Sequence, residues 1–245
     1  MSARIRINRF LSTAGLGSRR KCEELIRKGV VYVNGERAED LSLRIDPETD
    51  LVLVDGRRVI RNQKTVLLVL NKPTGVLSTV TDSFKRKTVI DLARENGFME
   101  RLFPVGRLDL NTSGILILTN DGSLAYKLTH PRFKIEKKYV VEVEGRISDE
   151  IVSNIASGIV KGDLVTQPCK IKVVKRKSES IELEVKLKEG RKRQIRRMFG
   201  LFEHKVLKLH RSAFGGLEFK DLTIGEIRLL TPAEEHRLRQ LARLA

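Results

Sequence analysis

Asp109 is the residue of this chain best placed to do chemistry. It lies two residues after Arg107 in the stretch Gly106-Arg107-Leu108-Asp109-Leu110-Asn111-Thr112-Ser113-Gly114, directly ahead of a polar turn. An apolar run from Ile115 to Leu118 follows and ends at the turn signal Asn120-Asp121-Gly122. A single carboxylate at the mouth of a buried strand, braced by a tight turn, can be held rigidly against a substrate. The same pattern also suits an aspartate that does nothing but form its turn.

Two later stretches could complete such a site. The segment Glu189-Gly190-Arg191-Lys192-Arg193-Gln194-Ile195-Arg196-Arg197-Met198-Phe199 turns at Gly190, and the spacing predicts a helix over 191–199. On it Ile195, Met198, Phe199 and Phe202 pack inward, while Arg193, Arg196 and Arg197 share the other side. Read alone, those arginines fit a solvated helix face. Lys138 to Glu144 alternates as a strand, with Tyr139, Val141 and Val143 on one face. Tyr139 by itself fits an aromatic half-buried in a sheet. The two cysteines, Cys22 and Cys169, are far apart and belong to no Cys-x-x-Cys pair, and the four histidines lack ligand spacing. No disulfide framework and no metal site is expected.

The elements that must position these residues divide the chain in two. Ile7, Phe10, Leu11 and Ala14 recur at helical spacing up to Gly15, and Ser18 caps a second helix with the stripe Cys22, Leu25, Ile26, ending at Gly29. Strands are predicted at 30–33, before Asn34-Gly35, and at 51–54, before Asp55-Gly56. The polar stretch Ile60 to Lys64 is the linker candidate, so domains of residues 1–62 and 63–245 are expected. Beyond it, Val66 to Leu70 reads as a buried strand cut off by the turn Asn71 to Gly75. A short helix from Asp91 to Asn96 ends at Gly97, and another runs from Ser123 to Thr129. Ser148 caps a helix running through Ile155. Strands are expected at 181–187, 206–209 and 224–230, and Thr231-Pro232-Ala233-Glu234 is a capping box opening a terminal helix. Many strands with interspersed helices argue for an α+β fold with a mixed, mostly antiparallel sheet.

Charge narrows the partner. The 245 residues hold 48 Lys+Arg against 31 Asp+Glu, a formal +17, and a field of that sign favours nucleic acid. Basic residues cluster at Arg19, Arg20 and Lys21, at Lys85 to Lys87, and at Arg191 to Arg197, which suits phosphate tracking. No apolar run approaches the roughly 20 residues that span a bilayer. No signal-peptide core is present at the N-terminus, and a cytoplasmic protein is expected. Aromatic content is 5% with no Trp, so shape and phosphate contacts should dominate over base stacking.

The wording of the motifs is more specific than their chemistry. Gly-Arg-Leu-Asp-x-x-Thr-Ser-Gly at 106–114 resembles the catalytic motif of the RsuA/RluB branch of pseudouridine synthases; Gly106 before Arg107 separates it from the branch with His there. Lys137-Lys138-Tyr139 is similar to the motif that supplies that family's active-site tyrosine, the 189–199 segment to its third motif, and Lys208 to Arg211 to the strand that follows. Ala14 to Arg20 with Val33-Asn34-Gly35 resembles the alpha-L RNA-binding module, which would cover most of residues 4–60. The resemblance implies a cofactor-independent isomerase that converts a uridine of ribosomal RNA, with the large subunit favoured, to pseudouridine. It implies Asp109 as nucleophile at the anomeric carbon or base at the neighbouring ribose carbon, Arg196 as its guanidinium partner, and Tyr139 as the ring stacked on the uracil. Contacts to RNA would fall to Arg107, Lys138, Arg193, Gln194, Ile195, Arg197 and the Arg19, Arg20, Lys21 group. Base flipping is implied, and a monomer without metal or membrane partner is expected. The rival readings are a non-catalytic RNA-binding or ribosome-assembly factor and a DNA-binding protein, neither of which gives a reason for Asp109, Tyr139 and Arg196 to stand in matching motifs.

Overall fold

Apolar residues at Ile7, Phe10 and Leu11 fall on one side of a short helix, α1 (Ile7–Thr13), and all three are buried in the computed structural model of the chain. The structure describes residues 4–60 and 64–244 and divides into two units, Met1–Thr65 and Val66–Ala245. In the first, the Ser18 hydroxyl accepts from the Lys21 amide at 3.1 Å and starts α2 (Arg19–Arg27), whose Cys22 and Ile26 are buried. A four-stranded antiparallel sheet follows, in the order Glu36–Arg37, Val31–Val33, Val52–Val54, Arg57–Arg58. Asn34 (φ 51) with Gly35, and Asp55 (φ 49) with Gly56, take the positive φ that two-residue hairpins require. The expected boundary between Asn62 and Gln63, and the middle of the Ile60–Lys64 linker, lie outside the described residues.

The second unit is built on a nine-stranded sheet. Its order is Lys170–Arg176, Ser180–Leu187, Lys137–Glu144, Val206–Phe214, Ser113–Thr119, Leu67–Lys72, Ile227–Leu229, with two short strands paired off this path. The Leu67–Lys72 strand is buried on both faces, hence its unbroken apolar reading. Leu68 and Leu70 pack with α3 (Val89–Glu95), while Leu67 and Val69 pack with α4 (Gly122–Thr129) and α7 (Pro232–Leu241). In the other half, Val141 and Val143 join Leu183 and Val185 under α5 (Asp149–Ala156) and α6 (Gln194–Gly200). The Ser148 cap and the Thr231 capping box both form.

One joint connects the halves. His210 and Arg211 pair in parallel with Ser113 and Gly114, and among the described strands every other pairing is antiparallel. At this joint the two backbones approach so closely that a Cβ on Gly114 would lie 2.3 Å from the Arg211 carbonyl oxygen and 2.5 Å from its nitrogen. Gly114 also holds φ +113, a conformation that only glycine adopts freely.

Several local expectations need correction: the strand expected at 224–230 shortens to Ile227–Leu229, and that at 206–209 runs on to Phe214. α6 begins at Gln194 rather than Arg191, because Arg193 takes a left-handed conformation (φ 51) and holds residues 191–193 in a loop. The first sheet strand runs on through Asn71 and Lys72 before it turns. Lys170–Arg176 is an edge strand that the sequence reading did not foresee; its alternation is hidden because only Ile171 and Val173 pack inward among lysines.

The joint makes a prediction. Gly114→Ala should destabilise the second unit by about 2–4 kcal/mol, from overpacking added to backbone strain. Gly97→Ala, also at positive φ (84) but with nothing within 4 Å of the new Cβ, should cost about 1 kcal/mol. Chemical denaturation of the two variants compares them directly, and equal losses would remove the steric argument.

Candidate active site

The two walls of a cavity of about 560 Å³ come from the two halves of the sheet. One wall holds Arg107, Asp109 and Thr112, and the other holds Tyr139, Glu189, Ile195 and Leu209. Asp109 is half-buried, and its flanks are tied down on both sides. The Ser78 hydroxyl donates to the Leu108 carbonyl (3.0 Å) and accepts from the Leu108 amide (3.1 Å), and the Gly75 amide donates to the Leu110 carbonyl (2.9 Å). The turn closes on itself where the Thr112 amide donates to the Asp109 carbonyl at 3.0 Å. The carboxylate thus stands on a backbone held at 108, 109 and 110.

The loop that ties it down is itself built around a buried cation. Lys72 has no exposed surface, and its ammonium donates to the carbonyls of Pro73 (2.7 Å) and Val76 (2.8 Å). Burial pushes its pKa down to about 8, and the charge of Asp109 works against that fall. Lys72 and Ser78 were not recognised from sequence. The only signal was a lysine closing a strand that opens as an apolar run, where a charge must find polar partners.

The facing wall is shaped by Glu189, which is buried and accepts from the Gln194 amide group at 2.6 Å and the Gln167 backbone amide at 2.9 Å. Gln194 in turn accepts from the Arg191 backbone amide at 3.0 Å. This clamp offsets the strain of the left-handed Arg193 and sets Arg191, Lys192 and Arg193 along the cavity wall. Lys137 is pushed down to about 8 by burial and by the neighbouring Arg211 guanidinium, against the pull of Glu189. Glu189, too, was missed as a positioning group.

The structure brings together Arg107, Asp109, Tyr139, Arg193, Gln194 and Ile195 around the cavity. Arg107 and Arg193 are exposed, whereas Gln194 and Ile195 are buried. Arg196 lies behind the turn: its guanidinium donates to the carbonyls of Asn111 (2.7 Å) and Val206 (2.9 Å). Among the described residues no ion pair within bonding distance joins it to the Asp109 carboxylate; it holds the turn that follows Asp109, and the charge of Asp109 reaches it through space. Burial lowers its pKa, Arg193 adds to that, and Asp109 opposes it. Two of the residues expected at the RNA point elsewhere. Lys138 alternates onto the face opposite Tyr139, where Glu218 and Glu184 neutralise it. Arg197 turns to Asp163 at 2.6 Å. Arg19, Arg20 and Lys21 are exposed on α2 of the first unit. Among the described residues no group of three or more His, Cys, Asp or Glu is arranged to hold a metal ion, and no helix is long and apolar enough to cross a membrane.

A basic cavity with one clamped carboxylate and a tyrosine across from it is arranged for chemistry on an anionic ligand. Comparison with known proteins fixes the family. Residues 66–200 match the family model described as RNA pseudouridylate synthase, and residues 5–52 match the S4 domain. A protein of Aquifex aeolicus named as an RNA pseudouridine synthase is 42% identical over 94% of this chain and 92% of its own. The ribosomal large subunit pseudouridine synthase B of Bacillus subtilis is 41% identical over 97% and 96%. A crystal structure of a pseudouridylate synthase superposes with a TM-score of 0.67 at 27% identity, covering 96% of this chain and 99% of that one. The chain belongs to the RNA pseudouridylate synthase family, with an N-terminal S4 domain, and is an isomerase that converts uridine to pseudouridine in RNA.

Lys72 gives the site a pH signature. Its folded pKa of about 8 lies below the ordinary 10.5. Below pH 8 both folded and unfolded forms hold the proton; between the two values only the unfolded chain does, so stability contributed at this position rises with pH through that window. The stability of the wild type relative to Lys72→Met should therefore improve between about pH 7.5 and about pH 9.5. Urea denaturation at both pH values measures the gap, and a gap that stays constant would contradict a depressed Lys72.

Proposed function

We propose that this chain isomerises a specific uridine of ribosomal RNA through Asp109, after the base has been turned out of the RNA into the cavity. The observation that supports this most is the opposition of a backbone-clamped Asp109 and Tyr139 across one cavity, with Arg196 bound beneath the same turn. A uridine stacked in folded RNA cannot reach such a cleft, so extrusion is part of the reaction.

The bond from N1 of the uracil to C1′ of the ribose must break, the base must turn, and C5 must bond to C1′ with loss of its hydrogen as a proton. A carboxylate suits the first step, as in retaining glycosidases, either by attack on C1′, with the ester displaced when C5 bonds there, or by taking the C2′ proton and returning it to C2′ as C5 adds to C1′. The leaving uracil anion is delocalised and stays in the site, so one carboxylate suffices. Every atom of the product apart from that exchanged proton comes from the substrate, and no electrons are gained or lost; the reaction needs no cofactor. Tyr139 stacks on the detached ring, holding it while leaving it free to turn, and its phenol helps remove the C5 proton. Arg107, Arg191, Lys192 and Arg193 hold the phosphates around the flipped nucleotide. Arg19, Arg20 and Lys21 on the first unit anchor the surrounding RNA, dividing the chain into an RNA-anchoring and a catalytic domain. The name of the Bacillus subtilis relative favours large-subunit RNA as the substrate.

The test is release of tritium from ribosomal RNA labelled at uracil C5, because each conversion frees that hydrogen. The wild type should release it. Asp109→Asn should lose at least about 10³-fold in rate while its RNA affinity stays within about two-fold. Tyr139→Phe should keep affinity but lose about 10²-fold in rate, since it stacks without a phenol. Tritium release by Asp109→Asn at the wild-type rate would sink the mechanism. Tight RNA binding by a wild type that releases none would favour the assembly-factor reading.

A further inference from the structure

Beside the cavity that holds Asp109 lies a second recess of about 410 Å³, which the reaction above does not use. It is formed by the 78–80 loop, by Gly106 and Arg107, and by Tyr126 and Thr129 of α4. Gly106, Arg107 and Thr129 line both spaces, so the recess adjoins the cavity directly. Tyr126 is 47% exposed, yet its ring is fixed on several sides. His130 lies 5.0 Å away in tilted contact, Phe133 lies 6.3 Å away edge-on, and the Arg132 guanidinium is 5.4 Å from the ring centroid. Of the three tyrosines in the chain, one lines the cavity and one the recess beside it.

An aromatic ring half open to solvent, with Arg132 over it and Arg107 lining the same recess, is suited to a flat ligand on an anionic backbone. We propose that the recess is a stacking subsite for the nucleotide adjoining the target uridine in the RNA strand. Its base lies on the Tyr126 ring, and Arg107 and Arg132 hold the flanking phosphates. The subsite rests on the reading of Asp109 as the centre of uridine isomerisation. Turning a uridine out of the stack strips its neighbour of a partner, and Tyr126 replaces that partner, which makes extrusion less costly. Little in the recess reads a base edge, because the Ser78 hydroxyl is taken by Leu108 and the Thr79 hydroxyl donates to the Thr81 carbonyl at 3.0 Å. The subsite therefore accepts any base and holds purines, with their larger faces, most firmly.

Single-turnover conversion by the full chain tests this on a ribosomal RNA stem-loop carrying the uridine that the wild type converts, and on the same RNA with an abasic residue at the 5′ or the 3′ neighbour. Tyr126→Ala and Tyr126→Leu should each raise the RNA concentration for half-maximal rate roughly ten-fold, while Tyr126→Phe stays within about two-fold of wild type. On one of the two abasic RNAs the loss should disappear, since the partner of the ring is already gone. Wild-type RNA dependence in both Tyr126→Ala and Tyr126→Leu, or a loss of the same size on both abasic RNAs, would overturn the subsite and leave the isomerase reading intact. A wild type that converts no uridine in ribosomal RNA would overturn that reading, and the subsite with it.

Discussion

The catalytic unit depends on the close approach of the Gly114 and Arg211 backbones. Its sheet consists of two antiparallel halves, joined by a parallel pairing of two residues on each strand. Any side chain larger than hydrogen at position 114 would force those strands apart. The consequence is functional, because the cavity takes one wall from each half. Asp109 stands five residues ahead of the joint on one strand's approach, and Tyr139 sits directly opposite Arg211 in the neighbouring pairing. The Arg211 side chain reinforces the join by donating to the Ile115 carbonyl at 2.6 Å. A small change in this spacing would open the distance between carboxylate and ring, and a misplacement of about 1 Å can cost about 10²-fold in rate.

Around that joint the protein buries more positive charge than it neutralises directly. Lys72, Lys137, Arg196 and Arg211 all lie wholly or partly out of water, while Glu189 and Asp109 are the carboxylates near them. Burial lowers Lys72 and Lys137 to about 8, and Arg211 adds to the fall at Lys137. Such a site favours an anionic ligand. The buried cations thus serve twice. Lys72, Arg196 and Arg211 hold backbone carbonyls, and all four set a positive potential at the cavity.

Much of this was legible in the chain. Caps at Ser18, Ser148 and Thr231 announce helices because a short polar side chain followed by the right spacing leaves few other readings. Asp109 and Tyr139 were found because their motifs carry unusual wording, and both line the cavity. What failed was anything decided by tertiary context. Lys138 lies in the tyrosine's motif, yet strand alternation turns it to the opposite face. Arg197 shares a helix with Arg196 but is taken by Asp163. The left-handed Arg193 delays α6, which no propensity would forecast, because its strain is offset by the Glu189–Gln194 clamp. Lys72 looked like part of a turn, and only burial reveals it as the cation around which the loop below Asp109 folds.

If one carboxylate, clamped at the seam of two half-sheets, isomerises a uridine of ribosomal RNA, the modified position is visible in the cell's own RNA. Mapping pseudouridine across all ribosomal RNA from cells lacking this protein, complemented with wild type or with Asp109→Asn, tests it most directly. A specific site should disappear from the RNA, return with the wild type and stay absent with Asp109→Asn. An unchanged map in the deleted cells, or a site restored equally by Asp109→Asn, would contradict it.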